Sequence, residues 1–501
     1  MNRLALGNTS LSFLISALLC LAVADIAVTA LNPWDEMLRL MRGLLRPEAA
    51  SIEVWSVIWT VAFAVVGVGI GAAAGFLLAI AFPHLVAVRA SALVLRSIHE
   101  LFWALLLIQV FGLGPVTGVL AIAIPYAGIF AKVFAEIIEE ADLTAEKVLP
   151  TGTSVVSAFA FARLPEVAER FKTYALYRLE CGLRSTLVLG FVGLPSVGFH
   201  LESYFKQGKY AEAAALLAVF YVLIGTRRLW ARPATLPFLL IASLLLLPQG
   251  IGSGAWLPNL VRFVTHDIVP TPLRNGEVGS LATWSAFSVW LQVIVVNKVL
   301  PGVWNTIVLA QIALVGMGML ALLLFPLVSR QFMGRIGQPA GRLLLVVVRS
   351  TPEYMLAYVL LQLLGPSMLP AIIALAVHNG AIVGYLMGRH ADALDYRLDA
   401  PRGLNLYAYD AVPRLYGQLL AYNLYRWEII ARESAIFGIL GVATLGYYVD
   451  AAISEFRFDV AIVLILATVA LCAVIDAASR RLRRGLRIST LATRLADAPA
   501  R

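Results

Sequence analysis

Two tyrosines, an arginine, a glutamate and a second arginine recur in one pattern, Tyr-x-x-Tyr-Arg-x-Glu-x-x-x-Arg. It stands at Tyr174, Tyr177, Arg178, Glu180 and Arg184, and again at Tyr422, Tyr425, Arg426, Glu428 and Arg432. At helical spacing the tyrosines and arginines share a face, and each glutamate stands four residues before an arginine, the favourable order for an intrahelical ion pair. A guanidinium is planar, permanently charged and offers parallel N–H donors, so arginines set in apolar surroundings suit an oxyanion as well as a carboxylate side chain. The second copy follows the first by about 248 residues, and the correspondence runs from Leu164–Gly198 to Val412–Gly446, pairing Pro165 with Pro413 and Gly190, Gly193 and Gly198 with Gly438, Gly441 and Gly446. Shared leucines mean little in so apolar a chain, but this charged pattern occurring twice marks a duplicated unit.

The elements that must position these residues are membrane helices. Of 501 residues 60% are hydrophobic and 14% charged, and the mean hydropathy is +0.84, the composition of an all-α integral membrane protein with no packed soluble domain. The net charge of +9 comes from arginines in short loops, where it reports membrane orientation rather than nucleic-acid binding. Cys20, Cys181 and Cys472 lie in or beside apolar runs at no metal-like spacing, as packing residues. Apolar runs number about twelve, roughly six per repeat, most near the ~20 residues needed to cross the hydrocarbon. Six spans per half make the two repeats parallel.

The expected organisation is a first repeat over 1–232 with a polar excursion at about 139–180, a second over 233–487 with its excursion at about 389–427, and a cytoplasmic tail over 488–501. The run Leu11–Leu31 reads as a retained first span rather than a signal peptide, since Asp25 interrupts its end and no Ala-x-Ala exit follows. Ala92–Phe111 and Leu343–Leu364 read as single spans, and Cys181–Phe199 as another. Gly67, Gly69, Gly71 and Gly75, in the span Ile52–Phe82, suggest close helix packing. Clusters at Arg227, Arg228 and Arg232, at Arg330, Arg335 and Arg342, and at Arg480–Arg484 place both termini on the cytoplasmic side.

Within the first excursion Glu146, Gly152, Leu164 and Pro165 keep the spacing Glu, five residues, Gly, eleven residues, Leu-Pro. That spacing resembles the coupling loop of ATP-binding-cassette importer permeases, with Lys147, Val148 and Ala162 departing from its usual residues. Pro-Thr-Gly-Thr-Ser at Pro150–Ser154, Tyr-Ala-Leu-Tyr-Arg-Leu-Glu ending at Glu180, Leu-Gly-Phe-Val-Gly ending at Gly193, and Leu-Arg-Ser-Ile-His-Glu ending at Glu100 look like the phosphonate-transport permease family. The resemblance implies a type I importer fold with two permease copies fused in one chain. It also implies a cytoplasmic ATPase dimer as partner, a periplasmic or extracellular substrate-binding protein, a bacterial inner-membrane setting, and a phosphonate or smaller phosphorus oxyanion (phosphite, hypophosphite or a phosphate-like ion) as cargo. ATP and Mg would then belong to the partner, because no Gly-x-x-x-x-Gly-Lys-Ser/Thr loop is present here. In the second half only eight residues separate Gly403 from Val412, and Arg397 stands where the glutamate would be, so coupling through Gly403 and Pro413 is expected to differ. Gly152 would supply the turn and Pro165 would stop the short helix over Ser154–Arg163.

Charges within spans are costly unless paired or facing water. Arg184 and Arg432 therefore have two readings: a gate or anion path, facing each other across a pseudo-twofold axis with Tyr177 and Tyr425 nearby, or packing anchors neutralised by Glu180 and Glu428. Arg96 with Glu100, and Arg349 with Glu353, repeat the i,i+4 logic, and His378 and Asn379, opposite Tyr126 and Ala127, mark a polar spot. A carrier with two six-span halves driven by an ion gradient is the alternative function, although no carboxylate deep in a span suggests a proton relay. No His, Asp and Glu cluster has metal-ligand spacing, which argues against an embedded enzyme.

Overall fold

The computed structural model describes residues 3–141, 144, 148–150, 152–248, 254–397, 399–486 and 488. Among them all regular structure is helical. Six helices are long and apolar enough to cross a membrane: Leu4–Val23, Val54–Ala81, Pro115–Glu139, Leu281–Val328, Leu369–Asp392 and Phe458–Leu486. Three bent helix pairs raise that number to nine if each is one span, and Tyr210–Gly225 and Leu236–Leu246 are shorter apolar helices. The protein is thus a multi-pass membrane protein, with fewer straight spans than the twelve expected.

The helices gather into two compact units that are not the contiguous halves of the chain. One takes Gly43–Val261; the other joins the residues up to Arg42 to the described residues from Arg262 onward. Helix Leu236–Leu246, which opens the second sequence repeat, packs on Val54–Ala81, and helix Arg3–Val23 packs on Leu300–Val328.

In the first of these units Val54–Ala81 lies against Pro115–Glu139. Lipid tails are as apolar as leucine, so membrane helices gain by close approach, which small residues permit. A Cβ at Gly67 or Gly71 would stand 2.8 Å from the Cβ of Ile122 or Tyr126, and one at Gly75 would run into Phe130. Gly69 faces Leu240 instead, at 3.3 Å. In the other unit the stripe changes helix: Gly380, Gly384 and Gly388 of Leu369–Asp392 meet Leu320, Leu324 and Val328 at 2.9, 3.2 and 2.7 Å.

The expected spans Ala92–Phe111 and Leu343–Leu364 are both broken. Val86–Ser97 meets Glu100–Phe111 at 96°, and Arg330–Ser350 meets Glu353–Leu364 at 88°. Extended backbone makes each break, at Ile98 and His99 (ψ 128° and 146°) and at Thr351 and Pro352 (ψ 120° and 142°). His99 then caps the next helix, accepting from the Leu101 N–H at 3.3 Å. Proline disfavours helical backbone in the residue before it, which fixes the second break. Glu100 and Glu353 fall in the first turn after each break, where the partial positive helix end favours a carboxylate.

Pro165 does not stop a helix. A helical turn over Val155–Ala158 continues through a π-helical turn, Phe159–Arg163, into Leu164–Leu189, and the copy does the same through Tyr407–Ala411 into Val412–Glu433. The Leu164 N–H bonds to the Phe159 carbonyl and the Val412 N–H to Tyr407, one residue further back than in an α-helix. Proline breaks a helix by lacking an N–H and by crowding a carbonyl one turn back. A widened turn placed just before it relieves both, and π-bulges are used in this way inside long helices. The same device at Val295–Val299, ahead of Pro301, lets Leu281–Val328 run on unbroken. The long helix ends at an elbow, Gly193 (φ 85°), mirrored by Gly441 (φ 86°). At these elbows Gly190 approaches Gly198, and Gly438 approaches Gly446, too closely for any side chain.

Candidate functional site

The turn that leads into the helix ending at Leu189 is open around its glycine. Gly152 has φ 96°, in the left-handed region that favours glycine, and among the described residues nothing lies within 4 Å of where its Cβ would be. Thr153 bonds back to the Pro150 carbonyl, and Ser154 caps the next turn by accepting from the Ser157 N–H at 3.1 Å. Gly403 has φ 64°, equally open surroundings, and sits at the start of its helix directly. Leu164 and Pro165, like Pro413, lie in the first turn after the π segment. Glu146 lies outside the described residues.

Apolar side chains are exposed along this segment in both units. Val156 and Phe161 are 77% and 82% exposed, and Leu404 and Tyr409, at the same places in the copy, are 83% and 82% exposed. Side chains of this size are normally withdrawn from solvent unless a membrane or a partner covers them.

Further along, each unit holds a polar cluster where the broken span, the glycine-striped helix pair and the long helix meet. In the unit Gly43–Val261, Ser185 Oγ donates to Glu100 Oε1 at 3.2 Å and pairs with the Tyr126 hydroxyl at 3.3 Å. Arg178 Nε donates to the Tyr174 hydroxyl at 2.8 Å, and its guanidinium carbon lies 5.3 to 5.9 Å from the ring centres of Tyr174, Tyr126 and Tyr177. In the other unit Arg426 Nη1 donates to Asn379 Oδ1 at 3.0 Å, and Asn379 Nδ2 donates to Glu433 Oε2 at 3.1 Å. His378 Nδ1 donates to the Thr351 carbonyl at 2.8 Å, with Nε2 at 3.7 Å from Glu353.

Asn379 therefore holds the position of Tyr126, one residue from the sequence pairing of His378 with Tyr126, because its partner Glu433 is the counterpart of Ser185. Neither Ser185 nor Glu433 was singled out in sequence. The available signal was a polar residue at the same aligned position in both long helices, hidden because the two types differ. Arg96 and Glu100, like Arg349 and Glu353, lie on opposite sides of the breaks; Arg349 lies 4.6 Å over the Tyr385 ring.

Arg184 is half-buried, with Nη2 3.2 Å from Cys181 Sγ. Glu180 lies 3.5 Å from Arg227 Nε, a partner that the intrahelical reading did not name, and Arg227 also donates to the Leu176 carbonyl at 2.9 Å. Glu428 is buried and Arg432 half-buried. Tyr177 and Tyr425 are exposed, the latter beneath Arg483 at 5.9 Å.

No family model matches the chain, and no solved structure matches it. Among curated proteins it is 28% identical over 392 residues to the phosphate-import permease protein PhnE of Mycolicibacterium smegmatis, a match covering 73% of this chain and 71% of that one. It is 30% identical over 233 residues to the phosphite transport system permease protein PtxC of Stutzerimonas stutzeri, covering 44% of this chain and 84% of PtxC. The chain belongs to the phosphonate/phosphite transport permease family. A third permease of that family, the putative phosphite transport system protein HtxE of Stutzerimonas stutzeri, is 32% identical over 139 residues, 28% of this chain and 53% of HtxE. PtxC matches less than half of this chain, whereas PhnE matches most of it, and the partial matches fit a fused pair of permease copies. A phosphonate/phosphite transport permease is a membrane component of a transport system, and a carrier driven by an ion gradient finds no support among these relatives.

Proposed function

We propose that this chain is the membrane subunit of an ATP-binding-cassette importer that carries a phosphonate or a smaller phosphorus oxyanion inward. One polypeptide supplies both permease copies; a cytoplasmic ATPase dimer supplies ATP hydrolysis with Mg, and a periplasmic or extracellular binding protein delivers cargo. The setting is the bacterial inner membrane, with both termini cytoplasmic. The cargo class rests on the relatives' names, which specify phosphate and phosphite transport.

The coupling role rests on one observation: Val156 and Phe161, and their copies Leu404 and Tyr409, stand exposed on turns at the start of the two long helices. Those helices run from that segment to the polar clusters, so a push at one end reaches the other as a rigid-body movement. Gly152, Leu164, Pro165, Gly403 and Pro413 shape the segment, and Glu146 belongs to its spacing. Arg184 and Arg432, with Glu180, Glu428, Tyr177 and Tyr425, are the gate or path residues of this reading.

Replacing Gly152 by Trp should uncouple ATP hydrolysis from uptake in the reconstituted complex, since it forces a bulky side chain into a left-handed turn at the docking surface. The matching change at Gly403 should matter less, because the segment from Gly403 to Val412 is shorter than its counterpart from Gly152 to Leu164. Unchanged uptake and substrate-stimulated hydrolysis in Gly152→Trp would remove the docking assignment; equal damage at both glycines would remove the asymmetry.

A further inference from the structure

The two copies of the Tyr-Arg motif have been put to different uses. In the unit holding Arg426, each neighbour of the corresponding arginine is engaged elsewhere or is itself a clamp. Asn379 replaces the ring of Tyr126 and ties Arg426 to Glu433. Tyr422, the copy of Tyr174, shares a hydrogen bond with His390 Nε2 at 3.0 Å. Tyr425, the copy of Tyr177, lies under Arg483. Arg426 is thereby held in a polar network reaching a carboxylate, the arrangement of an internal structural cation.

Arg178 has none of this. Three tyrosine rings surround its guanidinium, and among the described residues only Nε donates and no carboxylate lies within ion-pair distance of it. Its two terminal nitrogens make no hydrogen bond among the described residues, and the residue is only half-buried. Ring faces attract the cation without neutralising it. Glu100, the carboxylate at the far end of the Tyr126–Ser185 pair, is occupied by Ser185 and by His99 at 3.6 Å. What remains is a planar charged fork with unused parallel donors, beside the Tyr174 hydroxyl that accepts from Nε. That donor set fits a small tetrahedral or pyramidal oxyanion.

The geometry points to Arg178, in its tyrosine cage, as an oxyanion-binding residue of the transport path, with Arg426 as a structural clamp, so that cargo recognition within the membrane is one-sided despite the duplicated sequence. Arg178 stands about 9 Å along the helix from Arg184, on the side of the exposed coupling segment. The assignment rests on the importer reading above and deepens it.

The test uses the full chain assembled with its ATPase and binding protein in proteoliposomes, with uptake of phosphite, methylphosphonate and phosphate measured separately. Arg178→Gln should lower uptake of the transported ion by about 10- to 100-fold, the loss of one or two charge-assisted hydrogen bonds. Arg178→Lys, which keeps the charge without the fork, should raise KM while leaving a measurable maximal rate. Arg426→Gln should act instead through a lower melting temperature of the complex. If Arg178→Gln fails to assemble, phenylglyoxal labelling of the wild-type protein decides: the transported anion should slow modification of Arg178, read by peptide mass, whereas chloride should not. Wild-type uptake with unchanged KM in both Arg178 variants, or labelling indifferent to the anion, overturns the assignment and leaves the importer reading standing. A wild-type complex that takes up none of the three ions overturns the cargo reading and this assignment with it.

Discussion

Glu180 shows why charge spacing read from a sequence is an incomplete guide. Four residues before Arg184 it has the order of a helical ion pair, yet the structure sets it 3.5 Å from Arg227, a residue read in sequence only as a marker of membrane orientation. Both side chains of that pair are largely withdrawn from solvent, 14% and 16% exposed. Removing one partner of such a pair leaves an uncompensated charge, at a cost toward the lower end of the roughly 3–5 kcal/mol seen for buried pairs. Glu180→Gln should therefore lower the melting temperature of the purified protein, and adding Arg227→Gln should restore part of the loss; a melting point unmoved by Glu180→Gln would show that the contact is dispensable. Arg184→Gln should act differently, reducing uptake while the complex stays assembled. If Arg184→Gln instead prevents assembly and Glu180→Gln repairs both assembly and uptake, Arg184 is a packing residue. The motif's existence was legible at this scale because an ordered set of tyrosine, arginine and glutamate recurs intact in so apolar a chain. Its division of labour was not, because Asn379 and Glu433 share no type with Tyr126 and Ser185.

Helices were legible where one apolar run meets one straight element, as at Val54–Ala81 and Pro115–Glu139. They were misread wherever backbone geometry depends on more than residue type. Pro165 reads as a stop, but a π turn just before it, as before Pro301 and Pro413, absorbs the lost N–H, and such a turn has no composition of its own. The breaks after Ser97 and Ser350 split runs that hydropathy joins, because hydropathy does not register two extended residues, followed by a His99 cap at the first break and set by Pro352 at the second. Glycine spacing was the better guide. Gly71 lies in the close contact with Tyr126, so Gly71→Val should overpack it and destabilise the protein by about 1–3 kcal/mol. Gly69→Val, against the flexible end of Leu240, should cost less. Thermal unfolding monitored by intrinsic tryptophan fluorescence in detergent separates them; equal shifts would mean that the stripe does not set the helix separation.

Duplication was legible in the sequence, but the composition of the units was not, since repeats are found by likeness and units by contact. Helix Arg3–Val23 serves the unit built mainly from Arg262 onward: Gln311 Nε2 donates to Ser16 Oγ at 2.7 Å and to the Phe13 carbonyl at 3.3 Å, and Tyr416 donates to Ser10 at 2.6 Å. A fragment beginning after residue 248 should consequently be unstable in the membrane, with the buried Gln311 amide left unpaired, and co-expression of residues 1–248 should rescue it; a fragment as long-lived alone as in the whole chain would contradict this. The arrangement also sets an order in time. Helix Arg3–Val23 is separated from Leu300–Val328 by roughly 280 residues, which at about 5–20 residues per second of synthesis is a wait of roughly a quarter of a minute to a minute. Through that interval Arg3–Val23 must lie in lipid with its eventual neighbours unmade, which its apolar length permits and which its Ser10 and Ser16 hydroxyls meet by bonding to the Leu6 and Phe13 carbonyls of the same helix. A membrane chaperone or insertase that shelters single helices would have a long engagement with this protein there, at Arg3–Val23.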